Sequence, residues 1–184
     1  TKGGFIPLDG NHPEDPSDYF ERTYFRSGIL TEGDVVQGCH AMSLKYLEDQ
    51  IERSLQNLGL GTIDLYYVHN PETQLQEVSE AELYVRLTRA FELLERMVSQ
   101  GKLKGYGTAT WNGYRVAPGE SGYLSLDQVV HAAVSAGGPG HHFTAVQLPY
   151  NLAMPEAFMV QNQSWQGEAV STVEFARRAG LLVF

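Results

Sequence analysis

The run TIDLYYVHNPE, Thr62 to Glu72, decides how the rest of the chain is read. Ile63 to Val68 is apolar and rich in side chains that pack well on a pleated sheet covered on both faces. Pro71 has no N–H and disfavours helical geometry at Asn70, so the strand ends there. His69 is thereby carried to the carboxyl end of a buried strand, the end at which α/β barrels place their chemistry. Asp64 stands at the opposite end, where its expected role is local structure.

Upstream of this run, Leu44, Leu47, Ile51, Leu55 and Leu58 recur at spacings of three and four. They predict a helix over 44–58, with Ser43 as N-cap and Gly59 as stop. Downstream, Ser79 and Glu82 form a capping box for a helix to about Gln100. Its stripe is Leu83, Leu87, Ala90, Phe91, Leu94 and Met97 or Val98, and Gly101 ends it. Gly105 to Thr110 reads as a strand leading into Trp111-Asn112-Gly113. Ser125 opens a helix over Leu126–Ser135, with Val129, Val130, Ala133 and Val134 facing inward. Gly137-Gly138-Pro139-Gly140 breaks it. Phe143 to Leu148 is a strand stopped at Pro149. A helix is expected from about Gly167 to Arg178, stopped by Gly180, and a final strand from Leu181.

Strand starts near 64, 104, 145 and 181 leave about 36 to 41 residues each, room for a helical crossover between parallel strands. The alternation alone leaves a barrel and a doubly wound open sheet both open. No Gly-x-Gly-x-x-Gly lies between a strand and a helix, which weighs against a Rossmann domain. Phe5 to Met42 is a long irregular insertion punctuated by Pro7, Gly10, Pro13 and Pro16. Ser17 is expected to cap a short helix over Asp18–Arg26, and Thr31 with Asp34 resembles a capping box. Loops this long often sit over a site.

The chain has 184 residues, 42% of them hydrophobic and 19% charged, a globular composition. Its net charge of −9 argues against a nucleic-acid partner, since phosphate backbones repel it. The single cysteine, Cys39, excludes an internal disulfide and fits a reducing, cytoplasmic compartment. No apolar run reaches the roughly 18 to 20 residues of a membrane span, and the first residues lack a signal-peptide layout.

Several stretches carry a resemblance. TKGG at 1–4, NLGL at 57–60 leading into TIDLYYVHNPE, MVSQGKLKG at 97–105 and VQLPYNL at 146–152 together resemble the aldo-keto reductase family. The resemblance covers nearly all of the chain except 5–42. It implies a (β/α)8 TIM barrel present in part, about strands three to seven, as a single domain of residues 1–184. It also implies reduction of small aldehydes or ketones with NADP(H), with NAD(H) as the other cofactor to consider. On this reading the chain is a fragment, inactive alone, cut inside structural elements at both ends.

The family's catalytic tetrad is an Asp, a Tyr, a Lys and a His. Lys2 matches the lysine, in its Thr-Lys-x-Gly context, and His69 matches the histidine. The tyrosine and aspartate are expected ahead of Thr1, and the phosphate-binding groups after Phe184. A phenol with a pKa near 10 is a poor acid at neutral pH. A neighbouring ammonium lowers that pKa, and an imidazole can orient the carbonyl oxygen. Where the family has a Ser and an Asn that hold the nicotinamide carboxamide, this chain has Ala109 and Thr110. Thr110 offers a hydroxyl and Asn112 is a substitute two residues on. Gln147 matches a glutamine with the same role, and Trp111 is placed at the substrate mouth.

Two further readings remain: a cofactor-binding regulatory barrel of that family with little turnover, which Ala109 would allow, and a barrel hydrolase or lyase pairing His69 with Glu72. His141-His142 lacks the spacing of a metal site and reads as a solvated loop. Cys39-His40 shows no orienting partner for a thiol nucleophile. Glu92, Glu95 and Arg96 read as a solvated helix face.

Overall fold

The computed structural model describes residues 1–8 and 15–184; Gly10 and Pro13 of the long insertion lie outside them. Strand β1 is Lys2–Gly3. Helix α1, Pro16–Phe20, runs on as one wide turn over Glu21–Phe25. Its N-cap is Asp15, two residues ahead of the expected Ser17: the Asp15 carboxylate accepts from the N–H groups of Ser17 and Asp18 at 2.9 and 3.1 Å. Thr31 and Asp34 form the expected capping box around a short 3₁₀ turn. The remainder of the insertion holds an antiparallel pair that the sequence reading missed, β2 (Val35–Val36) and β3 (His40–Ala41). Each is two residues long, too short for periodicity to register.

Helix α2 is Leu44–Leu58, as its stripe predicts. Leu47, Ile51 and Leu55 are buried, while Leu44 and Leu58 at its ends are exposed. Ser43 holds the N-cap position, but its hydroxyl makes no capping bond. Strand β4, Tyr66–His69, is shorter than its apolar run. Asn70 then turns left-handed (φ 46°), and a 3₁₀ segment starts at Pro71. Helix α3 (Glu80–Ser99) is capped by Ser79. Strand β5 is Tyr106–Ala109, helix α4 is Leu126–Gly137 capped by Ser125, and strand β6 is Phe143–Gln147. Within α4, Val134 is exposed, and Leu126 and Ala132 are buried in its place.

A short α5 (Glu156–Met159) follows. The expected helix from Gly167 is a hairpin first: β7 (Gln163–Trp165) and β8 (Glu168–Val170) flank Gln166-Gly167, both at positive φ. Such a pair matches the twist of a two-residue hairpin turn. Helix α6, Thr172–Arg178, begins after it, capped by Ser171. Strand β9 is Leu182–Val183.

Five strands form one parallel sheet in the order β1-β4-β5-β6-β9, with helices in the crossovers. The architecture is α/β, a partial (β/α)8 barrel. Alternate residues face opposite sides. Tyr66, Val68, Tyr106, Phe143 and Val146 join the large core under the helices, where the rings of Phe91, Tyr106 and Phe143 meet at 5.1 to 5.9 Å. Tyr67, Ala109 and Ala145 form a separate small cluster on the other face. Between β5 and β6 the register slips by one residue, from Tyr106↔Phe143 to Gly107↔Ala145. The slip brings the backbones together: a Cβ on Gly107 would lie 2.1 Å from the Ala145 carbonyl oxygen.

Two substitutions separate these two supports. Phe91→Ala should lower stability by about 3–5 kcal/mol through the cavity it leaves. Gly107→Ala should cost about 3 kcal/mol or more, because backbone must move to admit the methyl. Urea denaturation reads both, and a Gly107→Ala variant as stable as its parent would refute the tight pairing.

Candidate functional site

Register places the site. Across β4, β5 and β6, His69 pairs with Ala109 and Ala109 with Gln147. One level lower, Lys2 pairs with Tyr67 and Tyr67 with Gly107. Residues in register point to the same face of a parallel sheet, so Lys2, His69, Ala109 and Gln147 converge. They line a cavity of about 330 Å³ together with Asn70, Thr110, Trp111, Leu148 and Pro149. Small side chains at 107, 109 and 145 keep this face open.

Two polar atoms in the cavity wall have no partner among the described residues. They are Thr110 Oγ1 and Gln147 Oε1, both buried. An unpaired buried polar group costs free energy, so these two atoms stand out in the wall. Lys2 forms no ion pair among the described residues. Burial chiefly, and the Lys2 ammonium secondarily, push the His69 imidazole below its ordinary pKa. His69 is therefore neutral at neutral pH, able to donate from one ring nitrogen and accept at the other. Its ring lies 5.3 Å from that of Phe5.

The other expected residues fall elsewhere. Asn112 is exposed and lines a neighbouring cavity of about 210 Å³ with Glu72, Thr73, Gln76 and Ser121. Glu72 does not meet His69. Its Oε1 accepts from the N–H groups of Trp111 and Asn112 at 2.9 and 3.3 Å. Burial raises its pKa against these bonds. Trp111 is 58% exposed, yet its backbone is held at both ends, because Arg115 Nη1 donates to its carbonyl at 3.2 Å. Arg115 is itself bidentate to Glu156 at 3.0 and 3.1 Å. Nothing local in the sequence marked the carboxylates of this clamp, Glu72 and Glu156, which lie about 40 residues from Trp111 and Arg115.

Glu95 is engaged rather than solvated. It accepts from the Tyr106 hydroxyl at 2.8 Å, the His142 N–H at 2.7 Å and the His142 ring at 2.7 Å; packing of α3 on β5 and β6 brings these together. Among the described residues no group of His, Cys, Asp and Glu is arranged to hold a metal ion. No helix among them is long and apolar enough to cross a membrane. Burial raises the Cys39 pKa, so the thiol is unactivated.

The residue most clearly missed is His40. It is fully buried, and its Nε2 lies 2.7 Å from the His69 carbonyl oxygen. Desolvation lowers its pKa to about 4. The unfolded chain, with its imidazole near 6.5, binds this proton more tightly than the folded one. Stability should therefore rise with pH from about 4 to 6.5, and fall as pH drops through that window, by about 3 kcal/mol from this residue. Denaturation across pH 4–7 for the parent and for His40→Gln checks it: the substitution should flatten that part of the slope.

A model of the family described as "Aldo/keto reductase family" matches residues 29–138, more than half of the chain. The match begins inside the long insertion, which the sequence reading had set apart from the resemblance. No curated protein matches significantly. Among solved structures, an aldo/keto reductase from Klebsiella pneumoniae in complex with NADP and acetate is similar at 18% identity and a TM-score of 0.47, over 75% of this chain and 36% of that one. A glycerol dehydrogenase from Gluconobacter oxydans is similar at 16% identity and 0.48, over 79% and 32%. An aldo-keto reductase from a Medee basin deep-sea metagenome library is similar at 14% identity and 0.45, over 84% and 40%. The chain spans less than half the length of each.

Proposed function

The chain belongs to the aldo/keto reductase family, and on that premise we propose that it carries the carbonyl-binding part of an NAD(P)H-dependent reductase that converts aldehydes or ketones to alcohols. The observation that supports this reading is the convergence of Lys2, His69, Thr110 and Gln147 on one cavity, two of them with unpaired buried polar atoms. The bound nicotinamide would supply hydride to the carbonyl carbon. Thr110 Oγ1 and Gln147 Oε1 suit an amide at that place, since one accepts or donates and the other accepts. Ala109 contributes no hydrogen bond there, and its small side chain leaves room for a flat ring.

His69, held neutral by burial, donates a hydrogen bond to the carbonyl oxygen and orients it. The Lys2 ammonium stabilises negative charge that develops on the oxygen, or on an acid beside it. Trp111, fixed at both its N–H and its carbonyl, forms one wall of the mouth and limits the size of the carbonyl compound that enters.

Ala109 also favours a second reading, a cofactor-binding member of the family with little turnover. Pairing of His69 with Glu72 in a hydrolase or lyase has no support, because Glu72 is committed to the loop after β5.

NADPH titration by fluorescence, in the protein that carries this chain, tests the proposal. Gln147→Leu should weaken NADPH binding about tenfold, the loss of one hydrogen bond. His69→Phe and Lys2→Met should each cut the reduction of a small aldehyde by at least about 100-fold with NADPH affinity kept within a few-fold. Absence of NADPH binding overturns both readings; binding without reduction selects the second. Ala109→Ser should tighten NADPH binding.

A further inference from the structure

Strand β1 stops pairing with β4 at Gly3, opposite Val68. Gly4 carries the chain away at φ 138°. The next carbonyl on β4, that of His69, is met by a side chain instead. His40 Nε2 lies 2.7 Å from that oxygen, and a carbonyl only accepts, so Nε2 carries the proton. On the other side of the ring, Nδ1 lies 2.8 Å from Gln74 Nε2. Gln74 Oε1 lies 2.5 Å from Arg86 Nη1. Gln74 and His40 are fully buried.

A guanidinium donates and never accepts. The amide oxygen of Gln74 must therefore face Arg86, its NH₂ must face His40, and Nδ1 must accept. One permanent charge sets the direction of every bond in the chain. Arg86 is in turn braced by Glu82 at 3.0 Å. The Phe5 ring packs 5.3 Å from both the His40 and the His69 rings. Gly4 leaves space for the contact, since a Cβ there would lie 2.9 Å from His40 Nε2 and 2.6 Å from the His69 oxygen.

We propose that His40, Gln74 and Arg86 form a positioning device for His69, a buried hydrogen-bond chain of one polarity that starts on α3 and ends on the His69 carbonyl, aiming its imidazole into the Lys2 cavity. The inference rests on the reading of His69 as the group that orients the substrate carbonyl. His40 touches no substrate in this scheme; it acts through the main chain of His69. The insertion over 5–42, which carries β3, thus supplies a working part of the site.

The test has two arms in the protein that carries this chain. Nitrogen-15 NMR of the unsubstituted protein at pH 7 should show His40 neutral with its proton on Nε2; a proton on Nδ1, or on both nitrogens, overturns the proposal whether or not any variant folds. In the second arm, His40→Leu should shift the His69 ring resonances and lower kcat for a small aldehyde about 10- to 100-fold, with KM and NADPH affinity within about twofold. His40→Gln, whose amide reaches the same place, should restore kcat to within a few-fold. Unchanged His69 resonances in His40→Leu, or equal losses in both variants, overturn the proposal. A protein that reduces no carbonyl refutes the function proposed above and leaves the NMR arm to decide this inference by itself.

Discussion

At Gly107 the backbones of β5 and β6 approach until a Cβ would lie 2.1 Å from the Ala145 carbonyl oxygen. The cavity depends on that approach. The register slip beside it inserts one extra residue of β6, so that Ala109 stands level with Gln147; without it Val146 would hold that level. A shift of one residue exchanges the two faces of a strand. Gln147 would then point under the helices, and Val146, now buried in the main core, would point into the cavity. Glycine at 107 is what lets the slip occur without a clash.

The same face must be sparsely filled to remain a site. Its inner cluster holds Tyr67, Ala109 and Ala145, with Leu65 partly buried beside them, while the core beneath the helices takes the large rings. The apolar load of the chain is thus carried on the helix side. Polar atoms with unmet hydrogen bonds, at Thr110 and Gln147, are confined to the other. That division is a stability cost, which a ligand at the proposed site would offset.

Loops at the carboxyl ends of the strands are packed through Tyr114, Leu124 and Leu75 and are also tied by polar side chains. Glu72 fastens the backbone after β5, Arg115 fastens the far side of Trp111, and Arg86 orders Gln74 and His40 behind His69. Each links segments distant in sequence, and each ends on main-chain atoms of a residue that faces the cavity. Fixed geometry of this kind is what the proposed function requires of His69 and Lys2.

Much of this was legible in the residues themselves. The stripes of α2 and α3, the caps at Ser79 and Ser125 and the break at Asn70-Pro71 are local: neighbouring side chains and the chain's own stereochemistry decide them. The same local pattern put His69 at a strand end, and the resemblance paired it with Lys2. Short elements escaped notice. The β2–β3 and β7–β8 pairs span two or three residues per strand, less than periodicity needs. The fates of Asn112, Glu72, Glu95 and His40 were likewise invisible, because each is set by a partner some 30 to 50 residues away. Only the folded sheet decided those, since register and the Gly107 slip determine which distant side chains share a face. Sequence alone determined the order of the sheet strands and the long helices between them; tertiary structure decided that Lys2, His69, Thr110 and Gln147 line one cavity, because convergence is a property of pairing between strands and not of any one strand.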